Sequence, residues 1–278
     1  MTRVACRILA LIEETSTRLP ADALAAIEKA RRREAPHSRA RAVFDTILEN
    51  ARIAAAERVP LCQDTGTLSF FVPLSLSRKV SRRDVAQAVE EATKRGLLRQ
   101  NTIDSISGLS HPSNVCSGAP SIYWTGDGGN EVSLLMKGGG SENMSAQFSL
   151  PDSSLSAGRD MDGVRKCVLA AVQKAQGFGC APGILGVAIG GDRAAAFAEA
   201  KRQLLRRLDD VNPDPALAKF ERRVLREANS LGIGPMGLGG KTTLLGVKAA
   251  ALPRVPASYF VTVAYLCWAA RRGRTALR

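Results

Sequence analysis

Residues 59–67 read Val-Pro-Leu-Cys-Gln-Asp-Thr-Gly-Thr, so a thiol is followed at once by an amide, a carboxylate and a hydroxyl. Cys62 offers a soft metal ligand, Gln63 a hydrogen-bond donor and Asp64 a proton-transfer group. Gly66 then allows a tight turn. Local propensity has little use for such a cluster, whereas a site at the edge of a metal does. The plain alternative is a buried cysteine ahead of a turn, because free Cys is among the most buried residue types.

Two further cysteines add to this. Cys180 lies in Gly-Phe-Gly-Cys-Ala-Pro-Gly, residues 177–183, and Cys267 in Tyr-Leu-Cys-Trp, residues 265–268. Glycines and a proline around Cys180 let its backbone bend closely around a bulky ligand. None of the six cysteines forms a C-x-x-C pair, which argues against zinc ribbons, thioredoxin-like sites and ferredoxin-type cluster runs. Three dispersed thiolates suit a [4Fe–4S] cluster held at three corners. Its fourth iron then stays open to substrate as a Lewis acid.

The segments PLCQDTGT (60–67), LRQN (98–101), KGGGSENMS (137–145), GCAPGILGVAIGGDR (179–193), LGIGPMGLGGKTT (231–243) and PASYFVTVAYLCW (256–268) carry a resemblance. In this order the chain resembles the alpha subunit of two-subunit class I fumarate hydratases, iron–sulfur hydro-lyases whose family also includes L(+)-tartrate dehydratase. The likeness covers most of the chain from about residue 40 onward. It implies Cys62, Cys180 and Cys267 as the cluster ligands and Arg99 as a bidentate clamp on a substrate carboxylate. Gln63 would orient substrate, and Asp64 would assist proton transfer or hold a catalytic water. It also implies a beta subunit that supplies further arginines, a lysine and a threonine base, hence a hetero-oligomer. The expected substrate is a small dicarboxylate, fumarate or malate, with tartrate as the nearest alternative. One position departs from the pattern: Val255 stands where the family usually has a histidine before Pro-Ala-Ser. A valine neither donates a hydrogen bond nor carries charge.

Gly138, Gly139 and Gly140 have no dinucleotide fingerprint. Successive glycines let main-chain N–H groups approach a carboxylate; a flexible turn is the competing reading. GPMGLGGKT (234–242) resembles a phosphate loop, but Pro235 falls where the first Walker glycine is required. Nucleotide or nucleic-acid binding without a cluster is thus the alternative of another class. The net charge of +13 invites the second of these. Yet acids are interleaved in the basic runs and aromatics are only 5%, so solvated helix faces are expected, with no nucleic-acid partner. His37 and His111 are the only histidines, too few for a His-based zinc site. Cys6 and Cys167 are expected to pack within helices.

A chain of 278 residues can bury a substantial core, and it is read as one domain, residues 1–278. No apolar run reaches the roughly 18 residues that span a bilayer. The N-terminal MTRVACRILALIEE reads as an amphipathic helix rather than a signal peptide. Free cysteines with a cluster point to a reducing cytoplasm.

Apolar spacing predicts helices over 2–17, 21–35, 38–57, 81–98, 161–176, 193–208 and 214–231, with Ser81 as an N-cap. Strands are predicted over 68–74, 131–136, 184–189 and 258–264, the last delivering Cys267. Residues 101–129 read as an active-site loop region. The fold class is α/β, mixed α+β, with a helical N-terminal part before a mixed-sheet region that carries the cluster ligands.

Overall fold

The computed structural model describes residues 1–126 and 128–277. Its helices are α1 (Arg3–Thr17), α2 (Ala21–Arg33), α3 (Arg39–Glu57), α4 (Arg82–Lys94), α5 (Gly139–Asn143), α6 (Met161–Ala175), α7 (Arg193–Gln203) and α8 (Pro215–Ser230). The strands are β1 (Thr67–Pro73), β2 (Ser121–Thr125), β3 (Glu131–Lys137), β4 (Ala146–Ser149), β5 (Gly183–Gly190), β6 (Leu244–Leu252), β7 (Phe260–Leu266) and β8 (Arg272–Ala276). The class is mixed α/β, as expected. The chain divides into two compact units. One comprises Met1–Pro20, Glu49–Gly139 and Arg271–Arg278, the other Ala21–Leu48 and Gly140–Ala270.

In the first unit a four-stranded sheet runs in the order β2-β1-β3-β8. Strands β1 and β2 are parallel, and the other two pairings are antiparallel. Phe70, Val72 and Leu134 pack with Ile8 and Ile12 of α1 and Val85 and Val89 of α4. Local chemistry places both helices. Ser81 caps α4 in a capping box with Asp84, and Thr2 caps α1 by accepting from Ala5 N–H. The two caps are joined, because the Thr2 hydroxyl donates to Asp84 Oδ1 at 2.5 Å. Burial works against the Asp84 carboxylate, but hydrogen bonds from Ser81 and Thr2 outweigh it and hold its pKa below the usual range.

In the second unit the sheet order is β4-β7-β5-β6. Only β5–β6 is parallel. Leu185, Val187 and Ile189 pack with Val164, Val168 and Val172 of α6 and Val224 of α8. The alternate residue Gly186 turns to α7, where an added Cβ would meet the Ala200 carbonyl at 1.9 Å. Burial of β5 on both faces explains why residues 183–190 read as a continuous apolar run. Arg206 and Lys248 converge on Asp210, and Arg206 also reaches Glu221. Burial opposes ionisation of Asp210, yet these two cations hold its pKa down.

Several expectations require correction. Residues 101–129 are not all loop, since β2 lies within them as a half-exposed edge strand beside β1. The 193–208 helix ends at Gln203. The glycine run does not simply end a strand, because Gly139 opens the single turn of α5. Strand β6 is alanine-rich, a helix-like composition, and becomes a strand because it pairs with the buried β5. The basic segment from Arg271 is no solvated helix face. It forms β8 against β3, with Arg271 and Arg272 buried. Cys6 is exposed rather than packed, while Cys167 is buried as expected.

Candidate active site

In the first unit the site is built on the turn that enters β1. Cys62 is partly buried, and its Sγ accepts from Asp64 N–H at 3.4 Å. The Asp64 carboxylate is held by three N–H donors. Oδ1 accepts from Gly66 N–H at 2.8 Å and from Asn101 Nδ2 at 2.9 Å. Oδ2 accepts from Gly139 N–H at 2.7 Å. Gly66 is required sterically: its φ is +69°, and a Cβ there would meet the Lys137 carbonyl oxygen at 2.2 Å. A Cβ on Gly138 would meet Asp64 Oδ2 at 2.8 Å. The glycines of 138–139 thus give Asp64 its place, and Gly139 offers its N–H to that carboxylate.

Arg99 is exposed. Its backbone is pinned where the carbonyl accepts from Thr65 Oγ1 at 2.7 Å and Asn114 Nδ2 at 2.9 Å. Asn114 Oδ1 in turn accepts from Asn101 N–H. Gln63 is exposed beside Cys62. The unit therefore brings together Cys62, Asp64, Gly138, Gly139 and the backbone of Arg99. Sequence reasoning assigned no role to Asn101 or Asn114; Asn101 stood inside the LRQN segment, and Asn114 has only its buried amide to mark it.

In the second unit Cys180 sits on a turn at φ +53°, a left-handed conformation unusual outside glycine. Its N–H donates to the Gly177 carbonyl, and its carbonyl accepts from Trp268 N–H at 3.3 Å. That bond sets the Cys180 turn beside the segment bearing Cys267. The Tyr265 ring fills the hollow of the turn. Added Cβ atoms on Gly179 and Gly183 would meet it at 2.4 Å and 2.3 Å. The Tyr265 hydroxyl is buried without a partner. Burial, then Cys267 and Cys180, push the Tyr265 phenol well above its ordinary pKa. Gly140 stands against the Phe178 carbonyl, 3.4 Å from an added Cβ.

The Gly-rich segment after α8 braces this turn. Met236 N–H donates to the Ala181 carbonyl at 2.9 Å, and Gly177 has no room for a Cβ against the Met236 carbonyl. The N–H groups of Gly237, Leu238 and Gly239 go to carbonyls of residues 233–235, and that of Lys241 goes to the Glu34 carboxylate. A phosphate loop keeps such N–H groups for its ligand; here they are engaged within the unit.

Val255 is 65% exposed in the loop before β7. Arg254 organises that loop through the carbonyls of Val255, Pro256 and Ser258 and lies over the Tyr259 ring. The donor chemistry for a metal cluster can be weighed directly. Among the described residues Cys62, Cys180 and Cys267 form no disulfide and none is fully buried, unlike Cys167, whose thiol burial pushes up to about 11. Two of them stand on hydrogen-bonded neighbouring turns with an unpartnered hydroxyl nearby, which fits a soft group with sulfur atoms. Among the described residues no group of three or more His, Cys, Asp and Glu is set to hold a metal ion.

Comparison with known proteins places the chain. The family model described as fumarate hydratase (fumerase) matches residues 6–276. A protein of Geobacillus stearothermophilus named "Putative fumarate hydratase class I" is 47% identical over 94% of this chain. The "Putative L(+)-tartrate dehydratase subunit alpha" of Methanocaldococcus jannaschii is 33% identical over 95% of this chain and 94% of its own length. The L(+)-tartrate dehydratase subunit alpha of Escherichia coli (strain UTI89 / UPEC) is 31% identical over 98% of this chain and 89% of its own. The chain belongs to the fumarate hydratase family. It spans 52% of the length of the Geobacillus relative. Among the described residues no helix is long and apolar enough to cross a membrane.

Proposed function

We propose that this chain is the alpha-type part of an iron–sulfur hydro-lyase that hydrates fumarate to malate reversibly. The observation that carries the reading is the Cys62–Asp64 turn, a thiol and a threefold-anchored carboxylate on one short segment. The 47% identity to the Geobacillus relative supports fumarate ahead of tartrate. Cys62, Cys180 and Cys267 would hold a [4Fe–4S] cluster, which when bound supplies a Lewis acid for the substrate hydroxyl and carboxylate.

The chain's own residues do the rest. Arg99 presents an exposed guanidinium from a pinned backbone and clamps one carboxylate. Gln63 orients the substrate by hydrogen bonding. Among the described residues Asp64 Oδ2 accepts only from Gly139; a carboxylate oxygen has two lone-pair directions, so one remains for a water or a substrate proton. Gly138 and Gly139 keep side chains out of that space, and Gly140 continues the segment. The remaining groups come from a beta-type part, in keeping with the length of the Geobacillus relative and the subunit names of the tartrate dehydratases. A cytoplasmic setting suits the reduced thiols.

Anaerobic co-expression with the neighbouring reading frame, followed by assay on malate, fumarate and both tartrates, tests this. Activity on malate and fumarate is expected, with about four irons per chain. Cys62→Ser, Cys180→Ser and Cys267→Ser should each lower iron sharply, and Cys6→Ser should not. Full iron in all four variants sinks the ligand assignment. Activity confined to tartrate moves the substrate.

A further inference from the structure

Arg271 begins the final segment of the first unit, and its backbone carbonyl accepts from Met136 N–H at 2.9 Å. Its side chain is 2% exposed and is among the largest fully buried ones. Nε is buried with no hydrogen-bond partner, and among the described residues no acid forms an ion pair with it. Two cations of the second unit, the buried Lys248 and the half-buried Arg206, are paired with acids. Lys248 reaches Asp210, and Arg206 bonds Asp210 and Glu221. A guanidinium cannot shed its charge, so burying it without a counter-ion is costly unless a ligand completes it.

The surroundings say which ligand. A Cβ on Gly138 would stand 3.7 Å from Arg271 Nη2 and 2.8 Å from Asp64 Oδ2. The guanidinium and the candidate catalytic carboxylate thus flank the same side-chain-free residue, yet they form no ion pair with each other. Asp64 is held instead by Gly66, Asn101 and Gly139. Gly139, the next residue, is exposed and leaves a way in. An anion able to sit beside Asp64 and use a planar fork is a carboxylate.

We propose that Arg271 is a substrate-binding residue that takes a carboxylate of the dicarboxylate, in addition to Arg99. This rests on the hydro-lyase reading for its substrate class. The probe is succinate, a four-carbon dicarboxylate with neither a double bond nor a hydroxyl to react. The assembled protein is melted with and without succinate, and succinate inhibition is measured, for the parent, Arg271→Met and Arg271→Lys. Without succinate, Arg271→Met should melt no lower than the parent, because an unpaired buried charge has been removed. It should lose the succinate-induced rise and weaken inhibition at least tenfold, while Arg271→Lys keeps part of both.

A parent without any succinate shift overturns the proposal. So does an Arg271→Met or Arg271→Lys protein that binds succinate as tightly as the parent. The two readings fail separately. A parent inactive on fumarate, malate and tartrates, whose succinate shift still vanishes only in the Arg271 variants, sinks the hydro-lyase assignment and leaves Arg271 standing. An active parent whose Arg271 variants keep succinate binding does the reverse.

Discussion

The turn bearing Cys62 and the turn bearing Cys180 hold their thiols by different physics. The first is polar: Asp64 gathers three N–H donors from separate stretches of chain. The second is steric: Tyr265 fills a hollow that exists only because residues 179 and 183 have no side chains. Both turns have glycines with no room for a Cβ, Gly66 in the first and Gly179 and Gly183 in the second. What separates them is that the first also depends on a carboxylate and should respond to lost polarity, whereas the second should respond chiefly to added volume. The contrast also suits the proposed roles, since a carboxylate near substrate must be oriented, whereas a ligand turn must be shaped.

The largest expected effect comes from adding one methyl group to the packed turn. Gly183→Ala would place a Cβ 2.3 Å from the Tyr265 hydroxyl and ring. Urea unfolding should show a loss of about 3 kcal/mol, the upper part of the usual overpacking range, together with reduced iron after reconstitution. Tyr265→Leu in the same chain should recover part of the stability. A Gly183→Ala protein as stable as the parent would mean that the ring does not occupy the hollow.

On the polar turn, Asp64→Ala strands the N–H groups of Gly66 and Gly139 and should cost about 1–3 kcal/mol. Asp64→Asn keeps the shape and should cost less in stability, yet lower kcat by at least tenfold through the lost proton-transfer group. If both variants lose the same stability and Asp64→Asn keeps full kcat, Asp64 is only an anchor.

Acid gives a smaller effect that each unit should show. Asp84 in one and Asp210 in the other have pKa values lowered in the fold. Each therefore contributes stability above its unfolded value of about 3.9, and that stability is lost as pH falls through the folded value. Stability should be flat on their account near neutrality and decline below pH of about 4. Trp124 and Trp268, one in each unit, report separately in Trp124→Phe and Trp268→Phe chains. A Trp268 signal unchanged by Asp210→Asn in acid would remove Asp210 from that account.

The smallest effect is a rate difference among thiols, with no change in fold. With the thiol at about 11, Cys167 should resist iodoacetamide at pH 8, where about a thousandth of it is thiolate, while exposed Cys6, which has no proposed ligand role, is modified first. Equal labelling of the two by mass spectrometry would show that the α6 core opens freely.

Much of the helical layout was legible locally. Ser81 with Asp84, Asp214 ahead of Pro215 and Asp192 ahead of α7 are caps whose hydrogen bonds span only a few residues. The Cys62–Gly66 and Cys180–Gly183 segments stood out for the same reason: their chemistry and their turn residues are contiguous. Strands β6 and β8 did not, because alanines and arginines have no strand preference of their own. Each is a strand only through its neighbour, β5 or β3.

The amino-acid order by itself thus determined the class of fold, the cysteines and carboxylate that could do chemistry, and the family to which they belong. Tertiary structure decided the rest. It gave Asp64 its partners from residues 66, 101 and 139. It made the Gly-rich loop a brace for the Cys180 turn. It also turned Arg271 from one charge in a basic tail into a buried cation beside Gly138. Side-chain type and short spacing are local properties, whereas burial and long-range hydrogen bonds exist only once distant segments meet.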